Sequence, residues 1–312
     1  MSGHWQDQPE GAGRQGFAVL RWSALHLGRP LMRAILYPLT LFYIMHRRDD
    51  RRASRDYLRR VLPQRVRAWH VYRHMHCFAA TLLDRIYLLA NGERGFVIET
   101  EGVDLLVEQV EQGRGVLLIG SHQGSFDALR VLSTRRPDLG LRVVLDKQKT
   151  PELTDMLESL APDIARSIID ASGDGTSMVL AIAEACREGA MVALLADRGR
   201  EHEVLRHALL LGEPAPFPVS PWLLAHTLRV PVLLCFGLYL GGNRYKLIFE
   251  AFAERVEIPR QTRNEALDAV IARYAARVEH YMHVAPYNWF NFYDFWQQDR
   301  HASARFGASP VR

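Results

Sequence analysis

Two hydrophobic periodicities divide the chain. Over residues 53–90 apolar side chains recur three or four positions apart (Tyr57, Val61, then Phe78, Leu82, Ile86), which predicts helix with a break near Pro63. From Gly95 onward short apolar runs alternate with amphipathic stretches. Residues 96–100, 115–120, 141–145, 167–170 and 190–196 predict strands; 104–112, 126–134, 152–160 and 176–187 predict helices between them. Parallel strands need a crossover about a helix long, so this alternation implies a mostly parallel sheet with helices on its faces. The pattern continues with a helix at 220–228, strands at 230–239 and 245–252 around the Gly241-Gly242-Asn243 turn, and an amphipathic helix at 264–282. The expected fold class is α/β, a mixed, largely parallel sheet flanked by helices. Its body is expected at 95–300, after a helical segment at 53–94.

The first quarter has a different character. Residues 1–16 are polar and predict a disordered leader, as 301–312 predict a disordered tail; 17–52 read as an apolar and basic anchor. The longest uncharged run, 34–45, covers roughly 18 Å as a helix, against a hydrocarbon core of about 30 Å. A helix lying in the membrane interface fits better than a span. Pro30 and Pro38 would bend it, and Trp22, Tyr37 and Tyr43 suit a headgroup boundary.

Charge strengthens that expectation. Between Arg14 and Arg73 there are fourteen arginines and three acids (Asp49, Asp50, Asp56), an excess of eleven in a chain whose net charge is +4. The partner implied is an anionic phospholipid surface. Nucleic acid is not expected, because the aromatics lie inside the apolar run rather than interleaved with the basic one. Over the whole chain, 48% apolar residues suffice for a core. Cys77, Cys186 and Cys235 are too scattered for a disulfide framework or thiolate zinc site. His70 and His74 have metal-compatible spacing but no third ligand, so neither metal nor cofactor is expected.

The candidate chemistry lies after the buried strand 115–120, in Ser121-His122-Gln123-Gly124-Ser125-Phe126-Asp127. Sites in open α/β sheets form beyond the carboxyl ends of strands. A turn at Gly124 would fold Asp127 back onto one imidazole nitrogen of His122, fixing the tautomer and leaving the other as a general base. Chance alone supplies about one such His/acid pair in this composition, so the strand–loop setting carries the argument. There is no G-x-S-x-G elbow and no cysteine beside the site.

In that setting His122…Asp127 resembles the H-x-x-x-x-D/E signature of the glycerolipid and lipid A acyltransferases. The strand 115–121 is similar to the one preceding the signature in the lipid A late acyltransferase branch. Further matches follow in order: 176–189, Met191 through Asp197-Arg198-Gly199, Gly212, Pro216-Phe217-Pro218, 221–225 and Val230-Pro231-Val232. The resemblance spans about 17–296.

It implies a glycerol-3-phosphate acyltransferase-like fold with an N-terminal membrane-anchoring helix, on the cytoplasmic face of a bacterial inner membrane. It also implies transfer of an acyl chain from acyl carrier protein, or sometimes coenzyme A, to a membrane lipid or glycolipid. His122 would deprotonate the acceptor, Asp127 would orient His122, and attack on the thioester would be direct. Gly124, Ser125, Lys147, Asp197 and Arg198 are the candidates for substrate contact. Where the family often has an arginine after the next strand, this chain has Asp146-Lys147-Gln148-Lys149. The segment 286–296, with seven aromatics in eleven residues, looks more like acyltransferases of aryl-polyene pigment pathways. Two other readings stand beside this one: a serine esterase or thioesterase using Ser121 or Ser125, and a non-catalytic lipid-binding protein.

Overall fold

Among the described residues of the computed structural model, which are 22–24, 26–128, 140–173, 175–199 and 203–297, three long helices precede the sheet. They are α1 (Arg29–His46), α2 (Arg48–Val61) and α3 (Ala68–Asn91). Pro30 sits in the first turn of α1, where its missing N–H costs nothing. The extended Leu62 before Pro63 ends α2.

Helix α1 is inverted in its charge pattern. Arg29 turns inward and donates two 2.8 Å bonds to Asp84 of α3, which is fully buried and also accepts from the Tyr245 hydroxyl at 2.8 Å. Arg33 lies 3.8 Å from the same carboxylate and donates to the Tyr239 hydroxyl. Met32, Leu36 and Thr40 are buried, whereas Leu31, Ile35, Leu39, Phe42 and Met45 are 40–56% exposed. Among the described residues no helix is long and apolar enough to cross a membrane.

The body follows as β1 (Val97–Glu101), α4 (Val103–Glu111), β2 (Val116–Gly124), β3 (Leu141–Leu145), α5 (Pro151–Leu160), α6 (Pro162–Arg166), β4 (Ile168–Asp170), α7 (Gly175–Arg187) and β5 (Met191–Leu195). A hairpin, β6 (Leu205–Leu210) and β7 (Glu213–Pro218), stands apart. Then come α8 (Ser220–Leu228), β8 (Val232–Gly241), β9 (Arg244–Ala253) and α9 (Arg263–Val284). The main sheet has the order β1-β9-β8-β2-β5-β3-β4, parallel throughout except for the β8–β9 hairpin. Strand β2 is central and buried on both faces. Leu117 and Ile119 join the core with Ile271 and Tyr274 of α9; Val116 and Leu118 join the opposite core with Leu83 and Ile86 of α3.

The structure departs from the sequence expectation at the end of β2 and adds detail in two other places. The strand expected to stop at Gly120 runs on to Gly124, carrying the candidate loop within it. The helix expected at 126–134 begins as a 3₁₀ turn, Phe126–Ala128, and 129–139 lie outside the described residues. The β6–β7 hairpin has no counterpart in the sequence reading, because Pro214, Pro216 and Pro218 disguise β7. Prolines at every second position place their missing donors on one edge, which a two-stranded ribbon leaves open. The expected leader and tail also lie outside the described residues.

Candidate active site

The site starts from an irregularity in β2. Gly120 faces Cys235 of β8, and the next pair is Gly124 with Gly237, so β2 advances four residues against two on its neighbour. The bulge sets Ser121, His122 and Gln123 against the single Phe236, and such bulges re-aim side chains out of the sheet. Gly124 makes it possible. Its φ is +62°, and a Cβ there would sit 2.0 Å from the Gly237 carbonyl oxygen.

The aromatic segment at the C-terminal end braces the bulge. Gly124 N–H donates to the Asn288 carbonyl at 2.7 Å, Phe290 N–H donates to the His122 carbonyl at 3.0 Å, and Gln123 bridges Trp289. The Asn288 side chain in turn bonds both backbone groups of Tyr239 on β8, at 2.6 and 3.1 Å.

Across the other edge of β2 runs β5, parallel, with Gly120 facing Leu195. Two residues further along each strand stand His122 and Asp197. The ring Nδ1–H of His122 donates to Asp197 Oδ1 at 2.7 Å, and its backbone N–H to Oδ2 at 3.1 Å. The Trp289 indole N–H adds a bond to Oδ2 at 3.2 Å. Asp197 is fully buried, while the His122 side chain is one-third exposed (33%). Burial pushes the Asp197 carboxyl up, but His122 and Arg198 outweigh it and hold the group down at about 2. His122 is lowered from the ordinary histidine value, by burial first and by Arg198 second, against the opposing pull of Asp197. An ionised Asp197 requires the proton on Nδ1, so at neutral pH the ring is neutral with Nε2 as an acceptor. Among the described residues nothing is bonded to Nε2.

The family model of the bacterial lipid A biosynthesis acyltransferases matches residues 16–298. The chain belongs to this family. It is an acyltransferase, and its family acts on lipid A-like substrates and is typically membrane-associated. No curated protein matches the chain. The family match reaches from before α1 past the aromatic segment, so the helical arm and that segment are parts of the acyltransferase unit.

Within this acyltransferase the candidate residues fall into three groups. Asp197 meets His122 directly. Arg198 stands beside the pair, with Nη2 donating to the Phe290 carbonyl at 2.5 Å and its guanidinium 5.6 Å from the Tyr293 ring. Gly124 and Ser125 form the bulge, where Ser125 N–H donates to the Gly237 carbonyl at 2.7 Å. The buried Ser121 and Ser125 hydroxyls have no hydrogen-bond partner among the described residues, so neither is bonded to His122. Asp127 lies on the 3₁₀ turn, and its side chain is outside the described ones.

Lys147 is not brought to this group. It follows β3, which β5 separates from β2, a lateral step of about 10 Å. There it lines an open cleft of about 410 Å³ with Glu158 and Arg166.

Trp289 is the site residue that sequence reasoning missed. Its aromatic segment is conspicuous in the sequence, but composition alone reads as packing. The three clustered histidines separate into local roles. His70 Nδ1 accepts the Arg67 N–H at the start of α3, His74 is buried between Ser54 and Trp289, and His76 stacks on Tyr37. No group of residues suited to a metal occurs among the described residues. Cys235 is buried, which pushes its thiol up to about 12 and leaves no thiolate nucleophile at neutral pH.

Proposed function

We propose that the enzyme moves a fatty or polyene acyl chain from a thioester on acyl carrier protein to a hydroxyl of a membrane lipid or glycolipid, with His122 as general base. The observation that carries this is the 2.7 Å bond from His122 Nδ1–H to a buried, ionised carboxylate, which leaves Nε2 as a base at a partly exposed position. Nε2 takes the acceptor hydroxyl proton while the oxygen attacks the thioester carbon. Collapse of the tetrahedral species breaks the C–S bond, and the imidazolium returns its proton to the leaving thiolate. Asp197 stays ionised and stabilises the imidazolium between these steps.

A direct attack accords with unbonded serines and a buried Cys235. We assign Asp127 a catalytic role with His122, Arg198 to phosphates of acceptor or carrier, and Lys147, in its separate cleft, to a phosphate of the carrier. Gly124 and Ser125 shape the substrate-facing turn.

The same reading sets the enzyme on the cytoplasmic face of the inner membrane, with α1 lying in the interface. Its charges face inward on Asp84 and its outward face is apolar. Half-burying the five exposed side chains of that face contributes on the order of 5 kcal/mol. Arg48, Arg52, Arg55 and Arg59 on α2 are exposed beside it, each worth about 1 kcal/mol near an anionic surface.

The test is acyl transfer from labelled acyl carrier protein thioester to extracted inner-membrane lipid, comparing wild type with His122→Ala. Product from the wild type alone supports the reaction, and its identity separates a lipid A-like acceptor from an aryl-polyene one. Equal product from both proteins rules out His122 as the base.

A further inference from the structure

We propose that Trp289 is a positioning residue for acyl transfer: its indole N–H holds the second oxygen of Asp197, and through it sets the orientation and basicity of His122. The proposal rests on the reading of His122 as the base. A carboxylate bonded through one oxygen can rotate about its Cβ–Cγ bond and lose alignment with the imidazole. Here Oδ1 faces the ring Nδ1–H, while Oδ2 is shared by the His122 backbone N–H at 3.1 Å and the indole N–H at 3.2 Å. The indole bond is the only one of the three supplied from outside the His122 residue itself.

Trp289 is held from several directions. It is fully buried, with its ring centroid 5.0 Å from Tyr57 of α2 and 4.9 Å from Phe295. Its carbonyl accepts from His74 Nε2–H of α3 at 2.8 Å, and His74 Nδ1 accepts from the Ser54 hydroxyl of α2 at 2.9 Å. Burial lowers His74 to about 4, so this link is neutral and its tautomer follows from its two partners. On either side of Trp289, Asn288 and Phe290 bond the β2 bulge. The bonds close a ring: His122 to Asp197, Asp197 to Trp289, and Trp289 through its own backbone neighbour to the His122 carbonyl. A packing role alone accounts for the buried ring but not for the direction of its N–H.

Among the described residues, the charged and titratable groups facing His122 are Asp197 and Arg198 after β5 and Arg85 on α3; Tyr274 of α9 and Tyr293 of the aromatic segment face Asp197. Against this background, removing the indole donor leaves the Asp197 charge less shared and the imidazolium better stabilised. The base then titrates at higher pH and is less firmly aligned.

The experiment uses the full-length enzyme with Trp289→Phe, and a second variant carrying 3-benzothienylalanine at this position, which keeps the bicyclic shape and lacks the N–H. Wild type and His122→Ala are run alongside. For both variants we expect kcat to fall roughly tenfold with KM within about twofold, and the acid limb of kcat/KM to move to higher pH. The isostere with wild-type kcat and an unmoved acid limb would overturn the proposal. So would loss of activity that merely follows the folded fraction in thermal unfolding, with the limb unmoved. Should His122→Ala remain active, the base reading fails and the proposal with it; an inactive His122→Ala beside a wild-type-like isostere sinks the role of Trp289 alone.

Discussion

Replacing Asp197 by Asn tests the site most sharply, because the amide nearly preserves shape while its bonding is forced by the surroundings. Oδ2 accepts from two N–H donors, the His122 backbone and the Trp289 indole. An asparagine NH₂ at that position would set donors against donors, so the amide oxygen must take it. The NH₂ then faces His122 Nδ1 and donates to it, which moves the ring proton to Nε2. The nitrogen meant to accept the acceptor's proton would already carry one. General-base assistance contributes about 10²–10⁴ in rate, so Asp197→Asn should raise the barrier by about 3–5 kcal/mol. The assay is steady-state acyl transfer at saturating thioester, run beside Asp127→Asn, with thermal unfolding of each variant as the control for folding. Asp197→Asn retaining more than about a tenth of wild-type kcat would refute the tautomer argument. If Asp127→Asn were then the inactive one, the carboxylate that serves His122 during turnover would be Asp127.

Four further outcomes are expected. Burial and Arg198 both disfavour the His122 cation, so kcat/KM should rise through a pKa below the ordinary histidine value and be flat through neutrality; an acid limb above that value contradicts the electrostatics. His74 titrates near 4 in the fold against about 6.5 unfolded, so its stabilising contribution is complete above pH 6.5 and is lost as pH falls towards 4. The loss amounts to about 3 kcal/mol and should appear in urea unfolding at pH 7, 5 and 4, and vanish in His74→Gln. Asp84→Ala leaves Arg29 without its carboxylate and the buried Tyr245 hydroxyl without its acceptor, and should cost about 3 kcal/mol in the same assay. Ile35→Asp with Phe42→Asp should lower flotation with phosphatidylglycerol vesicles by about a hundredfold and leave thermal unfolding unchanged, since both side chains are exposed; unchanged flotation would argue against interfacial docking of α1.

Local pattern made much of the fold legible. Helix α8 and strand β3 stand where their periodicity puts them, and the alternation of short apolar runs with helices anticipates the parallel sheet. The strand leading into His122 was equally clear, since an uninterrupted apolar run between turn residues has few other solutions. Strand β7 was hidden because its prolines oppose strand formation everywhere except at an open edge, and no local signal says that such an edge is there. The direction of Arg33 was hidden too. As sequence it interrupts an apolar helix; in the fold it is turned inward beside Asp84, and the outward face stays apolar.

The site divides along the same line. By itself the sequence determined that a histidine would stand near the carboxyl end of a buried strand, beside a glycine able to turn sharply, because strand period and glycine φ are properties of a few neighbouring residues. It also placed Asp197 at the end of another strand. That the two meet was decided by the pairing of β2 with β5, which brings together residues 75 apart in the chain. Trp289, a further 92 residues on, reaches Asp197 only because the aromatic segment folds back across the bulge. Strand order and the return of a terminal segment arise from burying shared apolar surface between distant parts of the chain, and no window of sequence contains both partners.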